Sequence, residues 1–231
     1  MQKYLYLSVS TVLLILLILL SPGVAFAQSR GNRPSATVRK GISPEEKIEA
    51  SGLLLKLGYW LEPEGPNQAV SFKHALIAFQ KVEGRARTGI LNRGELEALR
   101  TASPPLPRDS SSPHVEVDLD RQVLFIIDLG NPGVRVLPVS SGSGEMFTEG
   151  GVTRQAVTPT GKFKIQRKIQ NWRKSPLGLL YFPCYFHDGV AIHGNPAVPV
   201  KPASHGCVRI PMFAAEDFSK LAEIGTPVIV Y

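Results

Sequence analysis

A stretch rich in proline and serine, residues 102–113, divides this sequence into two parts with different hydrophobic periods. It carries Pro104, Pro105, Pro107 and Pro113 among Ser103, Ser110, Ser111 and Ser112. Proline has a fixed φ and no amide hydrogen, and serine buries little apolar surface, so the stretch reads as a semi-extended linker. Before it, apolar residues recur at helical spacing. Ser43-Pro44-Glu45-Glu46 combines a cap, a first-turn proline and the glutamate of a capping box. Ala50, Leu54 and Leu57 follow on one face, and Gly58 is placed to end the helix. Phe72, Ala75, Leu76 and Phe79 mark a second helix, and Asn92 with Glu95 caps a third that carries Leu96 and Leu99. After the linker the period falls to two. Val115, Val117 and Leu119 alternate with Glu116 and Asp118, Val123–Ile127 is a run of strand formers, and Val134 and Val136 continue. Further short strands are expected around 163–167, 179–182, 190–193 and 228–231, with one helix over 213–224. The fold class is therefore multidomain α and β: a small three-helix domain at 43–101, then a mainly-β, sandwich-like domain at 114–231.

The first residues read as a sorting signal rather than as fold. Lys3 precedes an apolar run over 12–20, Ser21-Pro22-Gly23 breaks it, and Ala25-Phe26-Ala27 offers small residues for a signal peptidase. Residues 1–27 are expected to be a secretory signal cut after Ala27, followed by a flexible polar tether at 28–42. The apolar run is short for a bilayer span, so no stable transmembrane anchor is expected after cleavage. Export would place the protein in the periplasm or the cell wall. Loss of Lys3 lowers the formal charge from +7 to +6, a balance suited to an anionic wall or membrane surface. No dense basic helix or basic-aromatic interleaving is present, so nucleic acid is not an expected partner.

Two cysteines, Cys184 and Cys207, are too few for a disulfide scaffold in a chain of 231 residues. Cys184 lies in the apolar Phe182-Pro183-Cys184-Tyr185-Phe186 and is expected in the core. Cys207 lies in Ser204-His205-Gly206-Cys207-Val208-Arg209, just after Ile192-His193-Gly194-Asn195. A thiol needs a base or a positive environment to become a nucleophile. His205 and Cys207 are two apart and would share a face of an extended chain, with Gly206 leaving the approach uncrowded. His193 arrives from another strand, so two histidines and one cysteine can converge. The same three residues could hold zinc, although no CxxC or HExxH spacing accompanies them.

These motifs resemble the active-site signature of the L,D-transpeptidase catalytic domain (YkuD-type). Val117-Asp118-Leu119 with Arg121-Gln122-Val123-Leu124 is similar to the opening hairpin of that family. Ser140-Ser141-Gly142, Thr158-Pro159-Thr160-Gly161 and Gly225-Thr226-Pro227-Val228 extend the resemblance over 114–231. The ten residues 194–203 are a short connection where many family members carry a longer insert. Leu57-Gly58-Tyr59, Ala75 with Phe79-Gln80, and the 89–99 stretch resemble a three-helix peptidoglycan-binding domain, with a degenerate turn at Glu64-Gly65-Pro66-Asn67.

The resemblance implies that Cys207 attacks a peptidoglycan tetrapeptide stem, releases its terminal D-amino acid and passes the acyl group to an amine. His193 would be the base, oriented by the Gly194 carbonyl, and the Gly206 and Cys207 amides would hold the oxyanion, with catalytic His205 shaping the pocket. Arg209 would bind a substrate carboxylate or form a structural ion pair, and Ser204, Tyr181, Asn195 and Trp172 would line the substrate site or, for Ser204, close the local turn. No cofactor or metal is expected, and His187-Asp188 reads as a turn. The partners are stem peptides and the cell wall. An L,D-carboxypeptidase, with water as acceptor, and a non-catalytic wall-binding adaptor are the alternatives.

Overall fold

The structure, a computed structural model, describes residues 41–130 and 132–231. The expected signal peptide and nearly all of the expected tether lie outside these residues. Three helices come first: α1 (Pro44–Lys56), α2 (Gln68–Val82) and α3 (Arg93–Thr101). The Ser43 hydroxyl accepts the Glu46 N–H at 3.2 Å while the Glu46 carboxylate accepts the Ser43 N–H at 2.8 Å, closing the capping box of α1. Asn92 caps α3 by accepting the Glu95 N–H at 3.0 Å.

The remaining strands are β1 (His114–Asp118), β2 (Val123–Ile127), β3 (Val134–Pro138), β4 (Met146–Glu149), β5 (Val152–Gln155) and β6 (Gly161–Lys164). They continue with β7 (Arg167–Lys168), β8 (Trp172–Ser175), β9 (Gly178–His187), β10 (Val190–Asn195) and β11 (Val208–Pro211). The helix α4 (Met212–Leu221) and the strand β12 (Pro227–Val230) complete the chain. One sheet has the order β3-β2-β1-β12-β6, with β1 and β12 parallel. The second has the order β11-β10-β9-β7, with β8 also paired to β9, and β4-β5 is a separate hairpin. No helix among the described residues is long and apolar enough to cross a membrane.

The two sheets face each other over one core. Val115 and Val117 of β1, Leu124 and Ile126 of β2, Phe186 of β9, Ile192 of β10 and Val208 and Ile210 of β11 meet there, with Phe218 of α4. The outward residues of β2, namely Val123, Phe125 and Ile127, are also buried, because Leu54, Leu76, Phe79 and Leu99 of the helices cover them. This explains why β2 shows no alternation: both of its faces are dry. The three helices thus do not enclose a core by themselves. Helices of 13, 15 and 9 residues leave an apolar face open, and the sheet fills it. Gly58 makes the junction possible. Its φ is +89° and a Cβ there would lie 2.6 Å from the Val134 carbonyl oxygen, so the chain can turn and pair Gly58–Trp60 with β3 only without a side chain.

Polar groups seal the same junction. Lys81 of α2 is 2% exposed, and its Nζ donates to the Val139 carbonyl at 2.7 Å and the Gln122 carbonyl at 3.0 Å. Burial, with the Arg87 charge adding to it, pushes its pKa down to about 7. The 102–113 segment has no helix or strand after Thr101, but it is pinned. Its Arg108 and Asp109 amides each donate at 2.8 Å to the fully buried Glu116 carboxylate of β1. The sequence pattern missed the β4-β5 hairpin and β8, which are short and largely exposed, and β11, a mostly buried strand of only four residues.

Candidate active site

The parallel strands β10 and β11 pair Ile192 with Val208 and His193 with Arg209. Side chains alternate along a strand, and Ile192, Val208 and Ile210 point into the inter-sheet core. His193, Cys207 and Arg209 therefore face the other way, into a cleft of about 460 Å³. Gly194 points inward, where an added Cβ would meet the Ala215 Cβ at 2.6 Å, so its lack of a side chain lets α4 close on the sheet.

His193 is 4% exposed and its Nδ1 lies 2.9 Å from the Gly194 carbonyl oxygen. A carbonyl only accepts, so Nδ1 carries the proton, and a neutral ring leaves Nε2 bare. Burial pushes the His193 pKa down to about 4; the Gly194 hydrogen bond opposes this and the Arg209 charge adds to it. The Ala191 N–H donates toward the Cys207 Sγ at 3.5 Å. Burial pushes the Cys207 thiol up, against smaller downward pulls from that amide and from Arg209. At neutral pH the cleft is therefore lined by a thiol and a neutral imidazole rather than by a thiolate and an imidazolium.

The loop that presents Cys207 is closed by its own hydrogen bonds. Ser204 is 3% exposed, and its hydroxyl donates to the Cys207 carbonyl and accepts the Gly206 N–H at 3.0 Å. Thr158 Oγ1 donates to the Gly206 carbonyl at 2.7 Å and accepts the Gly142 N–H at 2.9 Å. The Ser141 carbonyl accepts the Ala203 and Ser204 amides, both at 2.9 Å. The Ser140–Gly142 and Thr158–Gly161 segments singled out in the sequence thus include the supports of the nucleophile loop.

The other expected site residues take different places in and around the cleft. Ser204 borders the cleft, with its hydroxyl committed to the turn. Gly206 borders the cleft, and its amide donates to the Ser204 hydroxyl. Gly206 has φ +136°, which breaks the extended geometry that would have set His205 beside Cys207. His205 is exposed, and its ring packs against Phe147 with centroids 4.8 Å apart. Tyr181 pairs with Gly194 and packs against the core beside Phe182, the exposed Trp172 ring rests on it, and neither Tyr181 nor Trp172 lines the cleft. Asn195 lines the cleft, with its Oδ1 accepting the Ala197 N–H at 2.8 Å. Arg209 lines the cleft and has no carboxylate partner among the described residues.

Cys184 is fully buried in the inter-sheet core, on the face opposite Cys207, and both thiols are free. Among the described residues no group of three or more His, Cys, Asp or Glu side chains could hold a metal ion. Sequence reasoning missed Ala191 and the cleft residues Phe147, Arg154, Arg167 and Arg173. Ala191 acts through a backbone amide, which leaves no mark in a sequence. Thr158 stood in the Thr-Pro-Thr-Gly segment but was not assigned a contact.

The family model of the L,D-transpeptidase catalytic domain, YkuD, matches residues 112–230. A crystal structure of the L,D-transpeptidase (residues 123–326) from Xylanimonas cellulosilytica DSM 15894 is similar at 36% identity, over 84% of this chain and 96% of that one, with a TM-score of 0.73. An L,D-transpeptidase from Stackebrandtia nassauensis is similar at 19% identity, over 83% of this chain and 93% of that one, with a TM-score of 0.48. A comparison with curated protein sequences gave no match.

Proposed function

Because this chain belongs to the YkuD family of L,D-transpeptidase catalytic domains, we propose that it is a peptidoglycan L,D-transpeptidase with Cys207 as nucleophile and His193 as base. The observation that carries this reading is the placement of His193, Cys207 and Arg209 on one face of β10-β11 over the cleft. The bare Nε2 of His193, fixed by the Nδ1 bond to Gly194, supports the base role.

The steps follow from the two neutral groups. His193 Nε2 takes the thiol proton as Sγ attacks the carbonyl that precedes the terminal D-amino acid of a tetrapeptide stem. The charge that develops on the carbonyl oxygen is met by the Cys207 amide, since the Gly206 amide is engaged. The C–N bond breaks, the imidazolium returns its proton to the leaving amine, and a thioester remains. An amine of a second stem then attacks, giving up a proton to His193, and the thiol is regenerated. Arg209 binds a substrate carboxylate, and His205 with Phe147 forms the cleft wall. The signal at 1–27 would deliver the enzyme to the periplasm or cell wall, and the helices at 43–101 would hold it to peptidoglycan.

Mass spectrometry of products from purified protein and a disaccharide-tetrapeptide tests the reading. A cross-linked dimer lacking one terminal D-amino acid is expected, and Cys207→Ala should abolish it. A shortened monomer alone would make the protein an L,D-carboxypeptidase. Wall binding without any turnover would make it an adaptor, and turnover by Cys207→Ala would refute the nucleophile.

A further inference from the structure

Four guanidinium groups line the cleft around Cys207, those of Arg154, Arg167, Arg173 and Arg209, against two carboxylates, Glu149 and Asp188. None of the four forms an ion pair among the described residues. Elsewhere Arg85, Arg100 and Arg121 each hold a carboxylate within 3.0 Å. The helices and the β1-β2 turn thus pair arginines with acids, Arg87, Arg108 and Arg135 rest on carbonyls or aromatic rings instead, and the cleft is where four arginines without an ion pair gather.

The arginines outside the nucleophile motif reach the cleft from different elements. Arg154 of β5 stands directly opposite Phe147 of β4, so the two share a face of the hairpin, and Phe147 packs on His205. Arg167 of β7 lies opposite Tyr185 of β9, with its guanidinium 4.0 Å from the ring centroid. Tyr185 pairs in turn with Ala191, whose amide reaches the Cys207 sulfur. Arg173 of β8 lies opposite Leu180, which clusters with Tyr185, Ala191 and Cys207. Positive charge is thus supplied both from the hairpin beside His205 and from the β7-β9 side beside Ala191.

Like charges gathered in a cleft repel, and the repulsion is relieved only when an anion enters. A guanidinium meets a carboxylate in two-point fashion, whereas a carboxamide in the same place has no charge and turns N–H donors toward N–H donors. A stem peptide bears a terminal carboxylate, and the other carboxyl groups of its acidic and diamino residues can be free or amidated. Resting on the transpeptidase reading above, we infer that this cleft selects stems whose other carboxyl groups are free, and that Arg154, Arg167 and Arg173 set that preference.

The test uses the full chain and two tetrapeptide stems that differ only in amidation of those carboxyl groups, with release of the terminal D-amino acid as readout. The free-acid stem should show kcat/KM about tenfold or more above the amidated one, mainly through KM, with the ratio shrinking as salt rises. Arg154→Gln with Arg173→Gln should narrow the ratio in a protein whose circular dichroism is unchanged, since both side chains are exposed. Arg167→Lys, which keeps the charge but loses the flat fork over Tyr185, should narrow it less than Arg167→Gln. Equal rates for the two stems, or preference for the amidated one, would overturn the selectivity and leave the transpeptidase reading standing. Turnover of neither stem would overturn that reading and this inference with it.

Discussion

Replacing Glu116 by Gln should destabilise the protein by about 3–6 kcal/mol. The side chain is fully buried, and its two oxygens face four hydrogen-bonding groups. These are the amides of Arg108 and Asp109 at 2.8 Å each, His114 Nε2 at 3.1 Å and the Tyr231 hydroxyl at 2.9 Å. Each oxygen meets two of them, so whichever way the glutamine amide is turned, its NH₂ faces a pair that had met oxygen. Hydrogen bonds to a charged acceptor are worth about 1.5–3 kcal/mol each, so two of them lost give the stated range, about a third of a typical domain's stability. Urea unfolding followed by tryptophan fluorescence measures the change, through Trp60 and Trp172. The midpoint should fall with little change in slope, and protease cleavage within 102–113 should quicken, because two of the four partners belong to that segment. Tyr231→Phe removes one partner and should cost about 1.5–3 kcal/mol. Glu116 lies outside the cleft, so activity per folded molecule should hold. A loss below about 1 kcal/mol for Glu116→Gln would refute the idea that this carboxylate ties the linker and the C-terminal residue to the sheet.

The pH dependence should carry the mark of two histidines, His74 and His193, whose pKa burial pushes down to about 4. Between about pH 6.5 and 4 the unfolded chain binds protons that the folded one excludes, so stability should fall with pH by up to about 3 kcal/mol per histidine, and His193→Gln should flatten the fall. With neutral His193 as base, kcat/KM should hold to about pH 5 and drop as pH passes through about 4; an acid limb near 6.5 would mean an exposed imidazole. Thr158→Val keeps the shape but strands the Gly142 amide and Gly206 carbonyl, so a loss of about 1–3 kcal/mol by denaturation and a lower acylation rate are expected. Gly206→Ala places a Cβ 3.0 Å from the Val157 carbonyl oxygen at φ +136°, which should cost about 1–3 kcal/mol and at least tenfold in kcat; unchanged kinetics would show that the loop geometry is not needed.

The sequence by itself determined the local features of this protein. Ser43-Glu46 and Asn92-Glu95 state where helices begin because a cap is settled within one turn of chain. Alternation at Val115 and Val117 states a strand, and the run of strand formers at Val123–Ile127 states another. The residue types around Cys207 and His193 suffice to suggest a thiol and a base. Which faces meet was decided only by tertiary structure. β1 pairs with β12 more than a hundred positions away, and nothing near Phe125 indicates that Phe79 and Leu76 of a helix will cover it. Tertiary structure likewise sent His205 toward Phe147 and Tyr181 toward the core, because Gly206 breaks the strand geometry and Gly194 pairs with Tyr181 across the sheet. It also brought arginines from β5, β7, β8 and β11 around one sulfur. The physical reason is that backbone preference and capping act over a few residues, whereas a cleft is made by the packing of surfaces distant in the chain, and backbone donors such as the Ala191 amide are present at every residue but acquire a role only by position.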